Sequence, residues 1–365
     1  MTHLCLVSDQ PIPNLLPVLQ PDTHPDKVVL AVSDRMREKA GWLEDEIKAR
    51  QIVVERLDLP DAYALPTLQD TFLAWLAEHE QEEVALNVTG GTKPMAIAAQ
   101  EAFRMAGKAV FYVSVETDDL AWIDRQRPTV KLLADVPLKS FLRVHGMSVL
   151  KGESRSHLTP EWETFSQELG LVKAAPWERA LGKLNFHAME AEYRDLLDMG
   201  RIPAEGCPYW DDLMQSLYHN EIIRDAARLH FKSPEARAFA NGGWFEHLVF
   251  DALKNMDSVR QPLLNAQVKD AHGNRNEWDT VFLSRNRLFI VECKTKRLDG
   301  AGLAAEAIYK LDALRKAGGL RTRGILVSFR PVRDEDKRRA DEAHIDVIDQ
   351  GGLLRLPELL AAAIR

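Results

Sequence analysis

Two carboxylates and a lysine, Asp279, Glu292 and Lys294, sit in two short apolar runs, EWDTVFL (Glu277 to Leu283) and LFIVECK (Leu288 to Lys294), joined by the turn SRNR. If Leu283 pairs with Leu288, the runs form a hairpin in which Asp279 opposes Glu292 and Glu277 opposes Lys294. All four side chains then share one face, because strand side chains alternate with period two. Directly opposed residues lie about 4.5–5.5 Å apart at Cβ. Carboxylates that close repel unless a cation stands between them, and oxygen donors suit a hard divalent ion. The same charges on a solvated edge would make only a cross-strand ladder. Phe289, Ile290 and Val291, apolar towards both faces, argue against such an edge.

A second chemical stretch is ALNVTGGTKPMAIAAQEAF, Ala85 to Phe103, where an apolar strand meets a helix through Thr89, Gly90, Gly91, Thr92 and Lys93. Adjacent glycines let the backbone approach a ligand, the threonines and lysine offer donors, and the helix aims free N–H groups at the same spot. That is an anion site in outline. Its glycine spacing fits neither the phosphate-loop nor the dinucleotide pattern.

The elements that must hold these residues read as follows. From His3 to about Leu133, short apolar runs (HLCLV, VVLAV, IVVERL, VALNV, AVFYVSV) alternate with helical patterns over Arg35 to Arg50, Thr67 to Glu80 and Pro94 to Ala106. This predicts an α/β fold, a parallel sheet with helices on both faces, whose ligands bind beyond the carboxyl ends of the strands. The Thr89–Lys93 loop lies at such an end, as do Ser8, Asp9 and Gln10 after the first strand and Ser33 and Asp34 after the second. For Gln10 and Ser33, a turn or helix-cap role competes with ligand binding. A hairpin split by Arg125 to Pro128 closes the domain, assigned to residues 1–150. The polar stretch KGESRSHLTP, Lys151 to Pro160, reads as a linker, and residues 151–240 as a helical connector, with a winged helix as the alternative. Residues 241–365 read as a smaller α/β domain. Its first helix carries Glu246 at the edge of an apolar stripe, and the hairpin is followed by a helix from about Ala301 to Lys316 and the strands GILVSF and HIDVID.

The chain has 365 residues, 45% hydrophobic and 28% charged, enough for two or three domains with cores of their own. No stretch approaches the roughly 18 apolar residues of a membrane span, which predicts a cytoplasmic location and no membrane partner. Cys5, Cys207 and Cys293 show no paired spacing for a disulfide or zinc site. The net charge is −8, yet residues 285–339 hold 15 Lys and Arg against 7 Asp and Glu. That leaves room for a local basic surface, or merely a solvated charged face. Lys310, Arg315 and Lys316, on the helix after the hairpin, could track a phosphate backbone.

The EWD…VECK pattern resembles the PD-(D/E)xK core of restriction-endonuclease-like nucleases, with Trp278 standing where the motif often has proline. The resemblance implies that Asp279, Glu292 and the Cys293 carbonyl hold Mg²⁺ or Mn²⁺. It further implies that Lys294 positions or activates the attacking water and that Glu246 is the acidic helix residue of such cores. The NVTGGTKPM stretch resembles the ligand loop of CRISPR-associated Rossmann-fold (CARF) sensor domains. Together the two resemble the type III CRISPR ancillary nucleases activated by cyclic oligoadenylate. This implies a Rossmann-like sensor sheet, a homodimer, cyclic tetra-adenylate as activator, and DNA and RNA substrates. Thr89, Gly90, Gly91, Thr92 and Lys93 would face its phosphates. Two other readings compete: a ligand-responsive nucleic-acid-binding regulator with an inert nuclease-like domain, and a nuclease without a switch.

Overall fold

The computed structural model describes residues 1–123, 127–155, 158–169, 176–296, 298 and 303–365. Arg125 and Gln126 of the expected turn, Ser156 and His157 of the polar stretch, and the expected helix start at Ala301 lie outside the described residues. The chain divides into two compact units.

The first unit runs β1 (Thr2–Leu6), α1 (Ile12–Leu19), β2 (Lys27–Val32), α2 (Arg37–Lys48), β3 (Val53–Asp58), α3 (Leu65–Glu78), β4 (Val84–Asn87), α4 (Lys93–Met105), β5 (Ala109–Ser114), β6 (Asp119–Trp122), β7 (Val130–Lys131) and α5 (Leu138–Val144). The sheet order is β3-β2-β1-β4-β5-β6-β7, parallel through β5 and antiparallel beyond. Leu4, Leu6, Val29, Ala31 and Leu86 point to α3 and α4. The alternating His3, Cys5, Val28 and Leu30 are equally buried, and α2 packs on β2, β3 and α5. Helices therefore cover both faces, as the alternation predicted. Strand order reverses between β1 and β4, which makes the carboxyl ends there the place for a ligand.

Helix α1 was not expected. Its sequence IPNLLPVL has prolines in the first turn and at Pro17, and an internal proline removes one backbone donor. The carbonyl of Pro13, one turn before Pro17, instead accepts a hydrogen bond from Asn87 Nδ2 at 2.9 Å.

The second unit continues from β8 (Ser148–Glu153), so Lys151–Glu153 of the polar stretch are strand. There follow α6 (Pro160–Glu168), α7 (Glu178–Tyr193), α8 (Trp210–His219), β9 (Ile223–Asp225), β10 (Arg228–Phe231), α9 (Pro234–Ala238), α10 (Trp244–Lys254), β11 (Arg260–Lys269), β12 (Arg275–Ser284), β13 (Arg287–Lys294), α11 (Leu303–Ala317), β14 (Arg323–Ser328), α12 (Asp334–Glu342), β15 (Ile345–Ile348) and α13 (Leu356–Ile364). The sheet order is β15-β14-β13-β12-β11-β8. Strand β11 went unread because Pro262 and the left-handed Gln261 and Asn265 (φ 48° and 50°) break its pattern.

The segment after α7 pairs with β10: the Met199 N–H donates to Leu229 O at 2.9 Å and the Phe231 N–H to Leu197 O at 2.9 Å. A helix, a bridged segment, a second helix and a hairpin thus follow one another in the connector. One hydrophobic cluster joins Phe165, Leu184 and Leu213 of these helices to Trp244, Phe289, Val327 and Leu360. The connector and the six-stranded sheet therefore share a core.

His3 offers a test of the first unit. It is 1% exposed, packs against Phe111 with ring centroids 5.0 Å apart, and neither ring nitrogen has a partner among the described residues. Burial first, then the terminal amine and His24, push its pKa down to about 3. An unfolded histidine takes up a proton near pH 6.5 and this one does not, so stability falls as pH drops through that window. At pH 5 the loss attributable to His3 is about 2 kcal/mol. The thermal midpoint of His3→Leu should therefore gain on that of the unmodified chain between pH 7 and pH 5; curves that stay parallel would contradict the assignment.

Candidate active site and ligand pocket

In the hairpin of β12 and β13, Leu283 pairs with Leu288, and the register runs to Thr280 opposite Val291. This is the expected register. At the next step the carboxylate of Asp279 turns in to accept the Cys293 N–H at 2.6 Å. Glu292 is 1% exposed. Lys294, two residues on and hence on the same face, donates to its Oε1 at 2.5 Å. Lys294 thus serves Glu292 of its own strand rather than the expected Glu277, which is exposed. Lys310, on α11, also reaches Glu292 Oε1 at 3.1 Å. Sequence reasoning cast Lys310 as a backbone-tracking cation; its role as a partner of Glu292 depends on how α11 crosses the sheet. Arg315 and Lys316 pair with Asp312.

Glu246, in the first turn of α10, joins this set. Burial first, then the charges of Asp279, Glu277 and Glu292, raise its pKa to about 8 against the opposing pull of Lys294. Burial and then Glu292 raise Asp279 to about 6, while Lys294 and the Cys293 N–H oppose. Burial pushes the Cys293 thiol well up, which keeps its sulfur protonated and inert. The structure therefore brings together Glu246, Asp279, Glu292 and Lys294. Negative charge is in excess there, and the free donors are hard oxygens, which suits Mg²⁺ or Mn²⁺. Among the described residues, no three acidic, histidine or cysteine side chains converge closely enough to cage a metal alone.

In the first unit, a cavity of about 570 Å³ opens at the carboxyl ends of β1, β2 and β3 and the start of α4. Of the expected ligand residues, Ser33, Gly91 and Thr92 line it; Gln10, Thr89, Gly90 and Lys93 do not. The loop chemistry explains the split. Thr89 Oγ1 donates to Asn87 Oδ1 at 2.7 Å and accepts the Val113 N–H at 2.7 Å. Its hydroxyl braces the sheet. A Cβ on Gly90 would lie 2.1 Å from Leu6 O, so this glycine lets the loop press on β1. Thr92 caps α4 through the Met95 N–H and donates to Ala62 O at 2.8 Å. Lys93 is exposed. Gln10 Nε2 is buried without a partner among the described residues.

Sequence reasoning missed the wall formed by Pro60, Asp61, Ala62 and Tyr63 after β3, and Arg35 and Met36 after β2. Their position beyond strand ends was the available signal. Three acids ring the cavity, each already engaged: Asp9 with Lys39, Asp34 with Arg37 at 2.9 Å, and Asp61 with the Tyr63 N–H at 3.0 Å.

Residues 2–134 match the family described as Card1 CARF domain, and residues 233–364 match Card1-like, endonuclease domain. Among solved structures, the chain is similar to protein VC1899 from Vibrio cholerae, with 26% identity, a TM-score of 0.87, and coverage of 100% of this chain and 97% of that one. It shares the fold of Can2 from Sulfobacillus thermosulfidooxidans, solved in complex with cyclic tetra-adenylate: 24% identity, a TM-score of 0.85, and coverage of 100% and 99%. A type III CRISPR defence DNA nuclease activated by cyclic oligoadenylate matches more loosely, with 20% identity, a TM-score of 0.55, and coverage of 90% and 45%. No curated protein sequence matches the chain.

The Thr89 assignment separates bracing from ligand contact. Thr89→Val should cost about 2 kcal/mol by stranding the Val113 N–H, read as a lower urea midpoint, and Gly90→Ala about 1–3 kcal/mol through overpacking on Leu6. An unchanged midpoint for Thr89→Val would return its hydroxyl to the ligand.

Proposed function

We propose that this chain, a Card1 CARF domain joined to a Card1-like endonuclease domain, is a nuclease of type III CRISPR defence that a cyclic oligoadenylate switches on. The observation that supports this most strongly is the pairing in one chain of a switch-point cavity with the acidic Glu246–Asp279–Glu292–Lys294 set. The activator we assign is cyclic tetra-adenylate. Gly91, Thr92 and the start of α4 would face its phosphates, with Ser33 beside them. The spare oxygens of Asp34 and Asp61 would accept from its hydroxyl and amino groups. A two-fold homodimer would present each loop twice to a ring of even symmetry, and on that reading Gln10, Thr89, Gly90 and Lys93 support the ring or contact it from outside one chain's cavity. The sensor is assigned to residues 1–150, the connector to 151–240 and the nuclease to 241–365.

In the second unit, Asp279, Glu292 and the Cys293 carbonyl would hold Mg²⁺ or Mn²⁺, which supplies charge neutralisation at the scissile phosphate and a more acidic water. Lys294, fixed by Glu292, orients the attacking water. Burial and the neighbouring charges raise Glu246 to about 8, so it would hold its proton more tightly than an ordinary carboxyl instead of adding a third negative charge. Lys310 shares the Glu292 charge and can turn to a substrate phosphate. With no base-reading element in this set, cleavage of DNA or RNA strands should show little sequence preference. Ligand binding acts by favouring the cleavage-competent state over the other.

The helix and hairpin of α8 to β10 motivate a second reading, a ligand-responsive regulator that binds duplex DNA. Its would-be recognition helix, α8, exposes Asp211, Asp212, Gln215, Tyr218 and His219. That acidic surface would repel phosphates.

The test is cleavage of labelled single-stranded DNA, single-stranded RNA and supercoiled plasmid with Mn²⁺, with and without cyclic tetra-adenylate. Cleavage should require the ligand, and Glu292→Ala or Lys294→Ala should reduce it at least about 100-fold while ligand affinity is unchanged. Full-rate cleavage by Glu292→Ala would end the site assignment. Ligand-independent cleavage would end the switch, and metal-independent binding without products would favour the regulator. Within the sensor, Thr92→Val should weaken ligand binding about tenfold or more through loss of the α4 cap and the Ala62 tie, measured by calorimetry.

A further inference from the structure

A cavity of about 270 Å³ in the second unit is lined by Asn185, Phe186 and Met189 of α7 together with Thr295, Lys296 and Arg330. The three α7 residues fall on one helical face. Phe186 is 57% and Met189 41% exposed, although both are large and apolar. Asn185 and Arg330 are each 8% exposed. Yet Asn185 Oδ1 and Arg330 Nε have no hydrogen-bond partner among the described residues. The rest of the Arg330 guanidinium is anchored, to the Glu178 carboxylate and, at 2.9 Å, to its carbonyl. Gly182 makes room for this, since a Cβ there would lie 2.5 Å from the guanidinium. A desolvated acceptor and a desolvated donor each cost stability unless something completes them.

We propose that this cavity is a nucleobase site, which takes the unpaired base of the nucleotide next to the cleaved phosphodiester. The proposal rests on the nuclease reading above. A base is flat and apolar on its faces, which fits Phe186 and Met189, and it carries donors and acceptors on its edge, which fits the Asn185 amide and Arg330 Nε. Thr295 and Lys296 follow Lys294 directly in the chain, so a strand whose phosphate lies at Lys294 continues into the cavity. Exposed Lys296 is placed for the next phosphate. A base inside a duplex is stacked and paired and cannot enter, so the cavity selects single strands or flipped nucleotides. The amide can turn either way and the stack accepts any ring, so the site holds a base without fixing which one.

The test uses the full chain and a single-stranded oligonucleotide containing 2-aminopurine, without added divalent ion. Binding should quench the probe; Phe186→Ala should weaken binding about tenfold, the size of one base–aromatic stack. Phe186→Tyr should restore it, and Asn185→Leu should weaken it with no loss of thermal stability. Cyclic tetra-adenylate affinity should be unchanged in all three. With Mn²⁺ and activator, an abasic site walked along the substrate should lower cleavage about tenfold at one position beside the cut, and scarcely at all in Phe186→Ala. Equal quenching by the unmodified chain and Phe186→Ala, or none by either, overturns the base site. Quenching that depends on Phe186 without any cleavage leaves the base site standing and removes the nuclease reading instead.

Discussion

Negative charge held inside an apolar sheet is the constraint around which the second unit is built. Glu292 has almost no exposure, and Asp279 and Glu246 stand within its field. Three carboxylates cannot all ionise there without compensation. The chain supplies part of it by proton retention on Glu246, by the Cys293 N–H on Asp279, and by the ammonium groups of Lys294 and Lys310 on Glu292. Such compensation is mobile. Lysine heads on flexible stems can withdraw, and a proton can leave when a stronger cation arrives. These groups keep the buried charge stable at rest, and acids perturbed in this way mark a candidate functional site.

The first unit solves a different problem with buried polar groups. Asn87, fully buried, donates to Pro13 O and to Asn14 Oδ1, and accepts from the Thr89 N–H and hydroxyl. Asn14 in turn donates to Leu6 O at 3.0 Å. This network ties α1, β1, β4 and the glycine loop together, and Thr89 extends it to β5. Both the amino group and the carbonyl oxygen of the Asn87 amide are engaged, which is the condition for a buried polar network to rigidify a structure. A loop fixed in this way would meet a ligand preorganised, with less ordering entropy to lose on binding.

Much of this was legible in the sequence where the pattern was local. The hairpin register followed from period-two alternation and a four-residue turn, while Glu246 was singled out by the nuclease resemblance and not by its place on the helical stripe. The parallel sheet followed from alternating apolar runs. What was not legible depends on topology or on overriding a local rule. Helix α1 forms despite two prolines because Asn87, 74 residues away, takes the freed carbonyl. Strand β11 bends through two left-handed residues. The Pro60–Tyr63 wall is fixed by which strand ends come together, not by its composition. Lys310 looked like a free surface cation because its partner lies on another element.

The glycine loop shows how the donor-rich side chains of a motif can be taken up by the protein itself. Donor-rich side chains beside two glycines suggest a phosphate cradle, yet the hydroxyls of Thr89 and Thr92 are already committed to the protein. Gly90 is a glycine because a side chain there would collide with the carbonyl of Leu6. The loop's capacity for an anion then resides in backbone N–H groups around Gly91, whose φ of 77° suits glycine, and in the start of α4. The side chains of this loop shape and brace it, which leaves its backbone as the surface a ligand would meet. The same division runs through the α/β cavity as a whole: the residues nearest a ligand are set by strand ends, while those richest in donors hold the strand ends in place.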